Sequence, residues 1–172
     1  MYPLLSYNYY RYFKELLNAV SLDPFYPKFV VLPASTDLPS SCLHFNPKFW
    51  PFFKDAVGAI DGTHIHCCPS LEERAAARNR KGFLSQNCLA CCSLDLFFQY
   101  FVSGHEGSTG DAFMFDRARR TDFPVPAGKY YLADAGFNHC AALLVPYRGV
   151  RYHLAEWGRA AVRYVLSFSI DS

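Results

Sequence analysis

The fold is decided by the stretch Val57-Gly-Ala-Ile-Asp-Gly-Thr-His-Ile65, where an apolar run ends in one carboxylate, Asp61, and a glycine follows at once. The four small or β-branched residues 57–60 predict a short buried strand. Asp61 would then lie at the strand's end, facing a ligand, and Gly62 would turn the chain before the alternation resumes. An isolated Asp-Gly pair is more often an acidic turn that closes a strand, so a functional interpretation needs support from elsewhere in the chain.

Composition indicates one packed domain. The chain has 172 residues, of which 51% are hydrophobic and 17% aromatic, which suits a buried core and argues against disorder. No apolar run reaches the roughly 18 residues that a membrane span needs, and the N-terminus lacks the pattern of a secretory signal. The net charge of +2 is too small to indicate nucleic-acid binding by itself.

The seven cysteines are interpreted as reduced intracellular thiols, because their number is odd and no secretory signal is visible. Two groups superficially resemble zinc knuckles, one after His66 and the other at Cys88-Leu-Ala-Cys91-Cys92. Structural zinc sites place paired ligands on turns, whereas the second group has the pattern of a strand interior, where Cys88 and Cys91 would point to opposite faces. Small buried thiols are the better interpretation.

Residues 1–44 predict an accessory segment. Apolar residues at i, i+3 and i+4 spacing over residues 4–20 predict an amphipathic helix that ends before Pro24. The proline-rich residues 21–47 indicate an irregular connector, followed by one short helix near 48–55. Because the segment is too short to form a second domain, its helix is expected to pack against the main domain.

The middle of the chain predicts a hairpin and a helix. Residues 85–94 and 97–103 form two aromatic-rich or apolar runs across a turn at Asp95, which is typical of a β-hairpin. A glycine-rich loop over residues 104–110 then precedes a helix that begins near Asp111, where negative charge is favourable.

A second strand ends as the first one does. The run 129–133 leads into Asp134-Ala-Gly136, and residues 143–149 follow as a short strand or loop. Two parallel neighbouring strands would bring Asp61 and Asp134 side by side, since ligands collect at strand ends in α/β sheets. Adjacent carboxylates repel unless a cation lies between them, and hard divalent ions such as Mg²⁺ prefer oxygen ligands.

Five motifs, in this order, resemble the PIF/Harbinger transposases, a family that includes the nucleases called DDE superfamily endonucleases. The motifs are Gly58-Ala-Ile-Asp-Gly-Thr-His-Ile65, Asn79-Arg-Lys-Gly82 with Ser85-Gln-Asn87, Gly104-His-Glu-Gly-Ser-Thr-Gly-Asp111, Gly128-Lys-Tyr-Tyr-Leu-Ala-Asp-Ala-Gly136 and Pro146-Tyr-Arg-Gly-Val-Arg-Tyr-His-Leu154. The resemblance covers roughly residues 45–160. It implies an α/β, RNase H-like core with a mixed sheet, and a DDE triad that uses Mg²⁺ or Mn²⁺ to cut DNA at transposon ends.

The resemblance also implies roles for individual residues. Asp61 matches the first catalytic aspartate and Asp134 the second, both as metal ligands. Asp111 matches a further acidic position, which would either bind metal or only stabilise the start of its helix. The basic side chains expected on DNA phosphates are Arg78, Arg80 and Lys81 first, then Arg148 and Arg151. A solvated basic loop is the alternative for these residues.

Three departures from the family pattern predict a crippled site. The family's third acidic residue, a glutamate on a later helix, would fall beyond Ser172, and Glu156 lies too close to Asp134 to replace it well. Residues 161–172 no longer resemble the family, and His105 stands where the family commonly has tryptophan. The 45–160 domain is therefore expected to be an incomplete endonuclease that lacks its last catalytic helix.

Two classes of function remain open. One is a metal-dependent endonuclease that hydrolyses phosphodiester bonds, with little or no activity left. The other is a non-catalytic transposon remnant or a co-opted DNA- or protein-binding module. The expected partners are transposon-end-like DNA and a separate DNA-binding protein, with no membrane. The expected location is the nucleus, with the cytoplasm as a second place.

Overall fold

The computed structural model describes residues 3–147, with side chains from Asn8 onward. In chain order the elements are α1 (Pro3–Ser21), α2 (Tyr26–Phe29), α3 (Ser41–His44), β1 (Ala56–His66), α4 (Arg74–Ala77), β2 (Ser85–Cys92), β3 (Phe98–Glu106), α5 (Asp111–Thr121), β4 (Tyr130–Leu132) and β5 (Leu143–Leu144). Among the described residues, no helix is both long and apolar enough to cross a membrane. Arg148, Arg151, Glu156 and the predicted tail 161–172 lie outside the described residues.

The five strands form one mixed sheet in the order β3-β2-β1-β4-β5. β1 pairs antiparallel with β2, which pairs antiparallel with β3. β1 also pairs parallel with β4, and β4 pairs parallel with β5. This confirms the predicted α/β class with a mixed sheet, the predicted hairpin, and the parallel pairing of the two strands that lead to Asp61 and Asp134. The topology is consistent with an RNase H-like DDE fold.

The core lies where α5 packs on the sheet. α5 buries Met114, Phe115 and Ala118 on one face, as helical spacing requires. These side chains join a cluster that contains Ile60, Leu89, Tyr100, Phe123, Tyr131, Phe137 and Leu143. The core therefore fixes α5 over β1, β2 and β4, and with them the positions of the residues that follow these elements.

The predicted bounds of β1 are wrong. The strand does not end at Asp61 and Gly62 does not turn the chain, because the strand continues to His66. The reason lies in β2, which pairs with β1 from Ala59 to His66 and bonds the backbone groups of β1 that face it. Burial does change at the predicted place, since alternate residues are buried up to Ile60 and the side chains beyond are mostly exposed.

Two further predictions of local structure are wrong. The glycine-rich loop is shorter than residues 104–110, since β3 runs on to Glu106 with Gly104 at a positive φ of 86°. The region 48–55 is a series of hydrogen-bonded turns instead of a helix. Pro51 lies in the middle of this region and has no N–H to donate, which disfavours a continuous helix.

The N-terminal helix is present as predicted, but its described side chains, from Asn8 onward, do not pack against the sheet. Every residue from Asn8 to Ser21 is exposed, including Tyr9 and Phe13 on the predicted apolar face. The periodicity of this face was enough to predict the helix, whereas its burial depends on a neighbouring surface that the described residues do not supply.

The cysteines behave as buried or free thiols. Cys88 and Cys91 are buried in β2, and all seven cysteines of the chain are unbridged. Burial raises the pKa of the Cys91 thiol strongly, which keeps it protonated and inert.

Candidate functional site

The parallel pairing of β1 with β4 brings two carboxylates together. Its last register pair is Ala59 with Leu132, and Asp61 and Asp134 each follow two residues later. β4 stops at Leu132 while β1 continues along β2, so both aspartates lie just past the end of the shorter strand. Both are exposed, and the edge they occupy is open to solvent.

Local backbone amides orient both carboxylates. Asp61 Oδ1 accepts a hydrogen bond of 2.8 Å from the N–H of Gly62. Asp134 Oδ1 accepts one of 2.8 Å from the N–H of Gly136. Each Asp therefore accepts a hydrogen bond from the backbone N–H of a glycine one or two residues later.

Asp111 is a third carboxylate near this edge. It is the first residue of α5, after Gly110, and its side chain lies against Gly62 so closely that a Cβ there would collide with it. The Nδ2 of Asn87 donates a hydrogen bond of 2.9 Å to Asp111 Oδ1. The structure thus brings Asp111 next to the residue that follows Asp61, where its negative charge reaches Asp61.

The pKa of Asp61 is raised above its ordinary value. Partial burial raises it, the hydrogen bond from Gly62 opposes the rise, and the negative charges of Asp134 and Asp111 add to it. Carboxylate oxygens that repel one another suit a hard divalent cation. The described residues contain no group of three or more His, Cys, Asp or Glu side chains arranged to hold one metal ion, so an ion here would keep several of its waters, as Mg²⁺ usually does.

The predicted basic cluster lies on the loop between α4 and β2. The Nη1 of Arg78 donates a hydrogen bond of 2.6 Å to the carbonyl of Gly82 within the same loop. Arg80 reaches instead toward the start of α5, where its Nη2 would be 3.9 Å from a Cβ placed on Gly110. Lys81 is exposed. The structure therefore brings Arg80 close to Gly110, the residue before Asp111.

A buried polar network holds this loop against the sheet. The Nδ1 of His64 lies 3.0 Å from the Oγ of Ser85, and the Nδ2 of Asn79 donates to the same Oγ at 3.1 Å. Ser85 is fully buried. The network links β1, the loop and β2, and it keeps the basic cluster in a defined position.

Sequence reasoning missed two residues of the site, Asn87 and Gly62. Asn87 appeared in a family motif without a role, yet a polar residue inside the apolar run of β2 is itself a signal of a buried amide that has a specific partner. Gly62 was interpreted as a turn residue. Its contact with Asp111 joins positions far apart in the sequence, so no local pattern reveals it.

Comparison with known proteins yields one family. The family described as DDE superfamily endonuclease matches residues 60–162. No curated protein and no solved structure matches the chain. The matched region contains Asp61, Asp111 and Asp134 together with the basic cluster, and it begins one residue before Asp61.

Proposed function

We infer the function from the premise that this chain belongs to the DDE superfamily endonucleases of the Harbinger type. The family implies DNA as the substrate. We propose that the edge formed by Asp61 and Asp134 hydrolyses phosphodiester bonds of DNA with the help of Mg²⁺ or Mn²⁺, and that the protein acts in the nucleus.

One observation carries this proposal. The parallel register places Asp61 and Asp134 at equivalent positions past the end of β4, within reach of each other's charge. Strand ends are where α/β sheets gather ligands. Exposed acidic residues at such a position favour a ligand role over a structural one.

The residues present fit a divalent cation. Asp61 and Asp134 would hold it. Asp111 lies against Gly62, on the other face of β1, and would contribute its negative charge and not an oxygen ligand. When bound, the ion would polarise the attacking water and the leaving oxygen of the phosphodiester. The chain's own contribution is to orient the two carboxylates through the amides of Gly62 and Gly136.

Metal-dependent nicking of supercoiled plasmid DNA tests the proposal. Because the site is expected to be crippled, we expect Mg²⁺ or Mn²⁺ to support only weak nicking by the 172-residue chain, and Asp61→Asn and Asp134→Asn each to reduce it to the metal-free level. Asp116→Asn is the matched control, because Asp116 is an exposed aspartate of α5 outside the site. Nicking that survives both site substitutions would rule out this edge as the active site.

A second candidate is a DNA-binding module without catalysis. It is favoured by the lack of a three-ligand metal group among residues 3–147. Cleavage by no form of the protein, together with DNA binding that the Asp61→Asn and Asp134→Asn substitutions leave intact, would identify this function.

A further inference from the structure

Ser85 connects a buried amide to an exposed imidazole. The Nδ2 of Asn79 donates a hydrogen bond of 3.1 Å to the Oγ of Ser85, and the Nδ1 of His64 lies 3.0 Å from the same Oγ. Ser85 is 0% exposed and Asn79 is 6% exposed, whereas His64 is exposed. The three side chains therefore form a short chain of hydrogen bonds that begins in the interior and ends at the surface.

This hydrogen-bond chain fixes where His64 carries its proton. The Oδ1 of Asn79 accepts from the backbone N–H groups of Lys81 and Phe83, so its amide nitrogen faces Ser85. An amide nitrogen only donates, so the Ser85 oxygen accepts from it and has its own hydrogen left to donate. Among the described residues, the Nδ1 of His64 is the one acceptor within hydrogen-bonding distance of that hydroxyl. Nδ1 is therefore the acceptor, and the neutral ring carries its proton on Nε2.

The Nε2 of His64 faces the surface next to the basic cluster. Nε2 lies on the side of the ring away from Nδ1, and so away from the buried Ser85. The ring centroids of His64 and Phe83 are 6.3 Å apart, edge to face, and Phe83 belongs to the same loop as Arg80 and Lys81. The Nε2–H group is thus presented on the same surface as this basic loop.

His64 is not part of the cation site. Side chains alternate along β1, so His64 shares the face of Gly62 and Asp111, while Asp61 points to the opposite face. Beyond Ala59, no described strand pairs with the side of β1 that faces away from β2. DNA that lies along this side of β1 can contact Asp61 on one face and His64 on the other.

We propose that His64 binds a phosphate of the DNA backbone as a neutral N–H donor, and that Ser85 and Asn79 are positioning residues that hold its proton on Nε2. The inference rests on the proposed function for its ligand, DNA. A neutral donor adds affinity without releasing a counterion, in contrast to Arg80, because charges on the protein displace the ions condensed on DNA. A phosphate contact also carries no information about the base sequence.

Two substitutions of His64 separate a phosphate donor from a structural role. Asparagine places its amide near the position of the imidazole Nδ1, so His64→Asn keeps a partner for Ser85 and removes the outer donor. Glutamine places its amide near the position of Nε2, so His64→Gln keeps the outer donor and gives up the contact with Ser85. A structural role alone predicts that His64→Asn resembles the wild type, whereas a phosphate donor predicts this of His64→Gln.

Fluorescence anisotropy of two labelled duplexes of unrelated sequence, in EDTA, is the main readout. We expect His64→Asn to weaken binding to both duplexes by about 10-fold, the scale of a hydrogen bond to a charged group, without changing the slope of log affinity against log salt. His64→Gln should lose less. His44→Asn, at an exposed histidine of α3 near the other end of β2, is the control for the loss of one imidazole and should lose nothing.

Three results of this experiment would overturn the phosphate contact. The first is a loss confined to one duplex, since a phosphate contact acts uniformly across sequences. The second is a salt slope that falls together with the affinity, as it would for a charged contact. The third is His64→Asn binding as well as His64→Gln or better.

Nitrogen-15 NMR of the imidazole rings, at the pH of the binding experiment, tests the hydrogen-bond chain. The shifts of Nδ1 and Nε2 distinguish the two neutral tautomers and the charged ring, and the signal missing from His64→Gln identifies His64. We expect the Nε2–H tautomer in the wild type and a mixture in Ser85→Ala, with no change in Ser103→Ala, at an exposed serine of β3. A wild-type ring that is charged or protonated on Nδ1, or a Ser85→Ala ring with the wild-type tautomer, would refute the role of Ser85. If Ser85→Ala does not fold, the wild-type spectrum carries this test.

The outcomes separate this inference from the proposed function. Nicking that depends on Asp61 and Asp134, together with His64 variants that all bind DNA like the wild type, would refute this inference alone. DNA binding by a wild-type chain that never nicks would contradict the proposed cleavage and leave the His64 comparison intact. If the wild type binds neither duplex, the phosphate contact of His64 is refuted together with the proposed substrate.

Discussion

The ionised form of Asp61 is unfavourable in the metal-free protein. Its pKa is raised by partial burial and by the charges of Asp134 and Asp111. Because the folded state then binds the Asp61 proton more tightly than the unfolded chain does, the associated stability is present at acid pH and is lost as the pH rises through the folded pKa. At neutral pH the metal-free protein therefore contains a repulsion that a bound cation would relieve.

Replacing Asp61 by asparagine should remove this repulsion. We expect Asp61→Asn to stabilise the metal-free protein at neutral pH by about 0.5–1 kcal/mol, the scale of interactions between exposed charges, and to have no such effect at acid pH, where the carboxyl group is neutral in both states. Mn²⁺ should stabilise the wild type more than the variant, since ligands stabilise the state that binds them. Urea unfolding in EDTA and in Mn²⁺ measures both effects. A variant less stable than the wild type in EDTA at neutral pH would contradict this account.

Two buried tyrosines should respond in opposite ways when their hydroxyl groups are removed. The hydroxyl of Tyr100 donates a hydrogen bond of 2.7 Å to Asp122, whereas that of Tyr131 is buried without a partner among the described residues. We expect Tyr100→Phe to destabilise the protein by about 1 kcal/mol through the lost hydrogen bond, and Tyr131→Phe to be neutral or stabilising because it removes an unsatisfied group. The difference in urea midpoint between the variants is the measurement. Equal losses in both would show that the Tyr131 hydroxyl is satisfied.

At the scale of elements, β1 depends on close approach to β2. A Cβ on Gly58 would collide with the carbonyl oxygen of Cys92 on the neighbouring strand. The obstacle is backbone and cannot rotate away, so we expect Gly58→Ala to destabilise the protein by about 1–3 kcal/mol, as overpacking does. Gly110→Ala, which meets only open space, is the control in the same urea experiment. Similar stability of the two variants would show that the strands separate without cost.

The sequence predicted the elements better than their ends. Apolar alternation and the repeated Asp-Gly pattern were enough to predict that β1 and β4 are parallel neighbours. The length of β1 was not predictable locally, because its second half is stabilised by β2, a partner elsewhere in the chain. The adjacency of Asp61 and Asp134 was predictable from the same repeated pattern, whereas the contacts of Gly62 and Asn87 with Asp111 were not, because they join positions far apart in the sequence.

At the scale of the whole molecule, the acidic edge and the basic cluster lie close together. Arg80 reaches toward Gly110, next to Asp111, so a DNA phosphate held by Arg80 would lie near the carboxylates. Arg78 already donates to the carbonyl of Gly82, which assigns it at least partly to holding the loop. The two arginines, close in sequence, should therefore respond differently to substitution.

DNA affinity as a function of salt separates these roles. Each phosphate contact releases counterions, so we expect Arg80→Ala to lower the slope of log affinity against log salt by about 1 and to weaken binding uniformly across sequences. Arg78→Ala should change the slope less and lower the unfolding midpoint instead, because it removes a hydrogen bond within the loop. Arg11→Ala, at an exposed arginine of α1 that is paired with Glu15, is the control for the loss of one positive charge. Fluorescence anisotropy of a labelled duplex measures the slopes. Equal slopes for Arg80→Ala and Arg11→Ala would mean that Arg80 does not contact DNA phosphates. The DNA bound near Asp61 would then have to be held by other basic residues.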